Sequence, residues 1–303
     1  MMWSQQLRER LARLAQAQDV SQCEHPQIPP RPTNSSRDGR FGDTPEASSM
    51  PAILHDRLLR PAGRGPLDDG FEIENEAGRH WQLDKTIASL WPASEKYLAD
   101  GGHVVPQSGD ADYWHPEIEQ FASSFPQGVA FLDLETCGFS GSMIFLAGVI
   151  VFRGTSLQLS QLWARNYAEE FPLLSTLDSL LMRHSVLVTF NGRSFDWPQV
   201  RDRLVLHQRG RLPLSEQLCH VDLLHHSRRK WRQQLPNFKL QTLERYVCGR
   251  NRTGDIPGRE IPAAYHEYVR SGDTSQIGNI LHHNALDLVT LLQLALCVGK
   301  KKG

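Results

Sequence analysis

The stretch "VAFLDLE", residues 129–135, decides the reading of this chain. Alternation along a strand places Val129, Phe131, Asp133 and Glu135 on one face. Two carboxylates then project side by side from the end of an apolar strand. Adjacent carboxylates repel unless a cation lies between them or one is protonated. Taken alone, the pair also fits a solvated strand end.

The neighbouring sequence supplies a sheet for that strand. The runs "MIFLAGVIVF" (143–152) and "LQLSQLWARN" (157–166) are apolar and bounded by turns, with Gly141 and Gly154 marking them. Helical spacing follows over 169–184, then a fourth strand, "VLVTFN" (186–191), and a helix over 195–208. "CHVDLL" (219–224) reads as a fifth strand, and the remainder is mainly helical. Three strands in succession, then alternating helix and strand, predict a mixed α/β sheet rather than a uniform βαβ repeat.

The rest of the 303 residues bounds the function. A net charge of −1 gives no global field for polyanions, so any nucleic acid has to be held by a local patch. The five cysteines form no CxxC pair and suggest neither a zinc site nor a disulfide framework. Residues 1–22 contain a short amphipathic helix without the apolar core of a signal peptide. Residues 23–51, rich in Pro, Ser, Gly and Asp, read as a disordered linker. Residues 52–124 read as an extension or small subdomain, in which "FEIENEAGRHWQL" suggests a hairpin. No apolar run is expected to reach the length needed to cross a bilayer, and the expected location is the cytoplasm.

Two further segments carry acids. In "NGRSFD" (191–196), Asn191 ends a strand, Gly192 permits a turn and Asp196 opens a helix, where an N-cap is the ordinary role. In "ILHHNALDLVTLLQLAL" (280–296), His283, Asp287 and Thr290 form a polar stripe on an apolar rod. Asp287 lies a full turn inside that apolar pattern, where a carboxylate is costly unless paired.

D-x-E on a first strand, N-x3-F-D after a later strand and H-x3-D on a C-terminal helix occur in that order. The arrangement resembles the DEDD superfamily of 3′–5′ exonucleases, and more narrowly the YprB-type ribonuclease H-like family. The blocks that carry the resemblance are "FLDLETCGF", "LVTFNGRSFDWPQVRDR", "VDLLHHSRRKWRQQLPNFKLQTLE", "DIPGREIPAAYHEYVRSGD" and "HNALDLVTLL". It implies a ribonuclease H-like domain over 125–298, whose mixed sheet has three antiparallel strands followed by parallel additions, flanked by helices. It implies a metal-dependent exonuclease in which Asp133, Glu135, Asp196 and Asp287 hold two divalent cations, Mg²⁺ or Mn²⁺. Two such ions, about 4 Å apart, suit in-line phosphodiester hydrolysis. The base is His282 by the spacing of one DEDD subgroup and His283 by that of the other. Helical geometry favours His283, which stacks over Asp287.

For the substrate, DNA or RNA with a single-stranded 3′ end, Asn191, Arg228, Arg229, Trp231 and Arg232 are the candidate contacts. "HHSRRKWRQQLPNFK" (225–239) offers the local cationic patch, with Lys230 and Lys239 beside the arginines and Trp231 placed to stack a base. A solvated basic helix with Trp231 turned into the core accounts for the same residues. Asp222 and the "DIPG" turn at 255–258 read as structural, and Cys137 as a passive neighbour of the site. Two other functions fit the same motifs: a nucleic-acid-binding module that no longer turns over, and a phosphohydrolase or endonuclease of the same fold.

Overall fold

In the computed structural model the described residues are 65–95, 115–138, 141–208 and 217–299, with Gly210, Pro213 and Ser215. The helix expected within 1–22 and the linker 23–51 lie outside them. Seven strands form one sheet: β1 (Phe71–Asn75), β2 (Gly78–Thr86), β3 (Val129–Thr136), β4 (Ile144–Arg153), β5 (Ser156–Trp163), β6 (Val186–Thr189) and β7 (Cys219–Asp222). Their spatial order is β1-β2-β5-β4-β3-β6-β7. The central meander β3–β4–β5 is antiparallel, and β6 and β7 add in parallel beyond β3. This is the ribonuclease H-like mixed sheet that the sequence predicts. The hairpin β1–β2 does not stand apart from it. β2 pairs antiparallel with β5 from Trp81↔Trp163 to Thr86↔Gln158, so the sheet begins well before residue 125.

Eight helices complete the described chain: α1 (Ile87–Leu90), α2 (Pro116–Ser124), α3 (Glu170–Leu181), α4 (Asp196–His207), α5 (Leu223–Lys230), α6 (Leu240–Tyr246), α7 (Ile261–Ser271) and α8 (Ile277–Val298). The alternation of β3 sorts its side chains between two cores. Val129 and Phe131 face a core with α2 and most of α8, whereas Ala130 and Leu132 face one with α3 and α4. Both faces of the central strands are therefore covered, which is why β4 is apolar almost throughout instead of alternating.

α8 is apolar on nearly every side because it is nearly buried. By length and composition it is long enough to cross a bilayer, which corrects the reading that no run reaches that length. However, 83% of its most apolar window is packed inside the protein. Lys230 closes its C-terminus by donating from Nζ to the carbonyls of Cys297 (2.6 Å) and Val298 (3.2 Å). The basic helix expected to run through 225–239 ends at Lys230, and Gln233 beyond it adopts φ 66°.

One glycine sets how closely α8 lies on the sheet. Asp133, Gly148 and Gln161 form a cross-strand row over β3, β4 and β5. A Cβ on Gly148 would sit 2.1 Å from Asn284 Oδ1 and 2.5 Å from Leu288 Cδ1. Asn284 fills the space that the glycine leaves. Its Nδ2 donates to Asp133 Oδ2 (2.9 Å) and to the Asp133 carbonyl (3.2 Å). Gln161 Nε2 donates to Asn284 Oδ1 (3.0 Å) and to the Leu281 carbonyl (2.7 Å). We expect Gly148→Ala to lift α8 and cost about 1–3 kcal/mol, the usual range for overpacking a filled core. Urea unfolding would measure the loss, and an unchanged midpoint would show that α8 does not depend on this contact.

Candidate active site

β3 presents Asp133 and Glu135 on the face that α8 covers, as the alternation requires. The third acid arrives from the other side of the strand. β6 ends at Thr189, and Asn191 turns the chain with φ 60°. Gly192 is needed there because a Cβ would meet Thr189 Oγ1 at 2.3 Å. Asp222 secures this loop by accepting hydrogen bonds from the backbone N–H of Asn191 (2.8 Å) and Arg193 (3.2 Å). It also caps α5 through the Leu224 N–H (3.0 Å), so its reading as structural fits. The N-cap of α4 is Phe195 and makes no side-chain cap bond, so Asp196 is the first helical residue. Its carboxyl makes no side-chain cap bond, and the backbone N–H groups of Asp196 itself and of Leu134 offset part of its burial.

α8 brings the fourth acid and the imidazole. His283 Nε2 lies 3.7 Å from Asp287 Oδ2 and 4.0 Å from Glu135 Oε1. His282 is one helical step, about 100°, away and is half-buried. Of the two histidines, His283 is therefore the one that faces the carboxylates. Its other nitrogen, Nδ1, lies 2.9 and 3.0 Å from the two carboxylate oxygens of Asp255. A carboxylate only accepts, so Nδ1 carries the proton of this bond and Nε2 points into the cleft. Asp255, expected to be part of a structural turn, is in fact the partner of the site imidazole.

The electrostatics follow from crowding. Burial raises the Asp133 carboxyl well above the usual carboxylate range, and the charges of Asp287, Glu135 and Asp196 raise it further. Asn284 opposes this through its hydrogen bond. Glu135 and Asp196 are pushed up as well, first by burial and then by their acidic neighbours. All three are half-buried along the cleft and still touch solvent. His283 moves the other way. Burial disfavours its charged form, but Asp255, Asp287 and Glu135 outweigh that and lift it to about 9. Asp255 is held below the usual range because the bonds from His283 and Arg252 overcome its burial.

Sequence reading missed the basic side of this site. The polar stripe of α8 faces the segment after α6. Arg252 donates to Asp287, to Glu244 and, at 3.1 Å, to Asp255 Oδ2. Arg250 donates to Thr290 Oγ1 (2.7 Å) and Gln293 Oε1 (2.8 Å) and pairs with Glu244 Oε1 (2.6 Å). The carboxylate inside the apolar pattern is thus paired to an arginine, which satisfies the cost noted from sequence.

An all-oxygen set of four crowded acids suits hard divalent cations. The quartet does not close into a cage for one ion. Among the described residues, the group of three ligand atoms that converge within 4.8 Å is His115, Glu117 and His226, elsewhere in the fold.

A cleft of about 650 Å³ is lined by Phe190, Asn191, Phe195, Leu224, Arg228, Asn237, Phe238 and Lys239, and by none of the four acids. One wall is the loop that ends on Asp196, and Phe195 on it is 66% exposed. Two of the expected substrate contacts, Asn191 and Arg228, meet here. Arg229 and Arg232 are exposed but do not line this cleft. Trp231 is half-buried and packs against the core, so the reading that turned it inward describes it better than base stacking. Cys137 is half-buried, and burial pushes its thiol up to about 11, in keeping with a passive neighbour.

Comparison with known proteins places this chain in a family. Uncharacterized protein YprB from Bacillus subtilis (strain 168) is 34% identical over 174 residues, which cover 56% of this chain. The matched region spans 42% of that relative's length. The family B DNA polymerase from the hyperthermophilic archaeon Pyrobaculum calidifontis is 15% identical with a TM-score of 0.45, over 56% of this chain and 24% of that one. The model of the RNase H superfamily matches residues 130–297, from the first acidic strand to the end of α8. The chain belongs to the ribonuclease H superfamily.

Proposed function

We propose that this protein is a DEDD-type 3′–5′ exonuclease that hydrolyses phosphodiester bonds of DNA or RNA with two divalent cations, Mg²⁺ or Mn²⁺. The observation that carries the reading is the crowding of Asp133, Glu135, Asp196 and Asp287 from β3, α4 and α8, with His283 Nε2 facing Glu135 and Asp287. When bound, the cations supply Lewis-acid stabilisation of the phosphate oxygens and an acidified water. The chain supplies the rest. Asp133 and Glu135 offer ligand oxygens from a rigid strand, and Asp196 and Asp287 oppose them from two helices. Asp255 fixes the tautomer and direction of His283, so that Nε2 can accept a proton from the attacking water. His283 has to lose its own proton first, and it does so more readily once Glu135 and Asp287 are neutralised.

Substrate binding follows from the cleft that Asn191 and Phe195 help to line. Phe190, Phe195 and Phe238 offer flat apolar surfaces for bases, and Arg228 and Lys239 offer charge for phosphates. Aromatic faces interleaved with cations suit a single strand, whose bases are free to stack. A nucleic-acid-binding module without turnover is supported by one contact, the pairing of Arg252 with Asp287. That pairing already neutralises an acid that a cation would otherwise use.

Digestion of labelled single- and double-stranded DNA and RNA with Mg²⁺ or Mn²⁺ separates these readings. Mononucleotides released from a labelled 3′ end are the expected product, and Asp133→Asn or Asp287→Asn abolishes it. Binding with no product on any substrate would establish the module instead. Asp255→Asn keeps the fold but removes the charge that fixes the Nδ1–H tautomer of His283, and a fall in kcat of about 10–100-fold with little change in KM is expected. An unaltered kcat would remove Asp255 from the mechanism. Arg252→Ala leaves Glu244 and Asp287 without their shared partner and is expected to cost about 3–5 kcal/mol in denaturant unfolding, as for other broken buried pairs. A loss below about 1 kcal/mol, the range of exposed pairs, would show that water screens this one.

A further inference from the structure

A second cluster of metal-ligating groups lies outside the carboxylate site, where the start of α2 meets α5. His115, Glu117 and His226 bring one ligand atom each to within 4.8 Å of one another. Glu117 Oε2 is 2.9 Å from His226 Nε2 and 3.8 Å from His115 Nδ1. The two imidazole rings are 5.1 Å apart and nearly edge-on, at 69°. Ligands around a tetrahedral ion with bonds of about 2.0–2.1 Å lie roughly 3.3 Å from each other, so small side-chain movements close the group.

The surroundings favour occupation by a metal. Glu117 Oε1 is held by Arg193 Nη2 at 2.6 Å, which turns Oε2 toward the imidazoles. Metal-bound carboxylates are commonly oriented by such an outer hydrogen bond. His226 is 4% exposed, so its imidazole is held by packing in one place beside Glu117. His115 remains partly open and gives an ion a way in. Arg193 also sets a limit, because its charge opposes a cation and reduces affinity. We propose that His115, Glu117 and His226 form a site for one transition-metal ion of the Zn²⁺ class, separate from the carboxylate cleft. Two imidazole nitrogens with one carboxylate select such an ion over Mg²⁺. The ion would join the start of α2 to α5 and, through Arg193, to the loop that carries Asn191 and leads to Asp196.

A hydrogen bond between His226 and Glu117 alone would hold these helices without His115, and the test turns on that difference. The full chain, with excess Mg²⁺ to fill oxygen sites, is titrated with Zn²⁺ against a chromophoric chelator and with Co²⁺ by visible absorption. One equivalent of Zn²⁺ tighter than about 10 µM is expected, and Co²⁺ should give the bands of a four- or five-coordinate nitrogen site. His115 Nδ1 accepts the Glu117 N–H (3.3 Å) that caps α2, a bond the ion has to displace if it takes that nitrogen, and His115→Asn preserves a capping acceptor but removes the imidazole. It should weaken Zn²⁺ binding at least tenfold while leaving the melting temperature in chelator unchanged. His226→Gln should do the same to binding. Absence of stoichiometric Zn²⁺ binding by the wild type overturns the proposal, as does wild-type affinity in both variants.

Discussion

The seat of α8 on Gly148 is the contact on which the rest of this structure depends. Helices usually stand off a sheet by the height of the side chains between them. Here the side chain is missing from the middle strand, and Asn284 sinks into the gap to reach both Asp133 and Gln161. The two amides are buried and bond to each other, although Gln161 Oε1 is left without a partner. The consequence of the row is geometric. Asn284 follows His283 directly and lies one turn before Asp287 on the same helix. Fixing it against Asp133 fixes the imidazole and the fourth acid against the first. Packing and chemistry thus share one register, and a shift of α8 along the sheet would dismantle both.

The second constraint is charge. Four acids in one cleft would drive its walls apart, and Asp255 and Glu244 add two more nearby. The chain answers with a basic segment laid along the polar stripe of α8. Arg252 reaches three carboxylates, Arg250 reaches Glu244, and His283 is held protonated between Asp255, Glu135 and Asp287. The distribution is uneven in a useful way. The arginines sit at the Asp287 side, whereas Asp133, Glu135 and Asp196 carry the raised affinities for protons. Charge is most lacking at the end of β3, where two strand acids and one helix acid meet. That end is where external positive charge would be held most strongly.

How much of this was legible in the sequence depended on periodicity. The alternation of "VAFLDLE" placed Asp133 and Glu135 on one face because strand geometry leaves no other choice. The spacing of His283 and Asp287 placed them one turn apart for the same reason. The turn after β6 was legible, but the sequence assigned it to Gly192 and the positive φ falls on Asn191. Arg252 and Asp255 were not legible in this way. They lie in an irregular segment between α6 and α7, whose path is set by tertiary contacts with α8 rather than by any local repeat. Gly148 was invisible inside an apolar run, since only the closeness of α8 gives its missing Cβ a purpose. The hairpin β1–β2 could be read as a hairpin, but its pairing partner could not. β5 is an edge of the central meander, and what covers such an edge is decided by the whole chain.

Asp222 ties the two ends of the molecule's chemistry together. It sits fully buried at the end of β7, and its carboxylate is spent on backbone N–H groups of the loop after β6 and of α5. Those bonds leave the loop little freedom, although it is short of regular structure. Along it, Asn191 and Phe195 face the cleft, Arg193 reaches back to Glu117, and Asp196 joins the acids. Neighbouring residues of one loop thus serve different surroundings, which requires a backbone that cannot rotate to favour one at the expense of another. A buried acid with no ligand of its own is the physical means of that. It holds Asp196 in place by bonds made three to five residues earlier, and the orientation of the third acid is set at β7 rather than in the cleft.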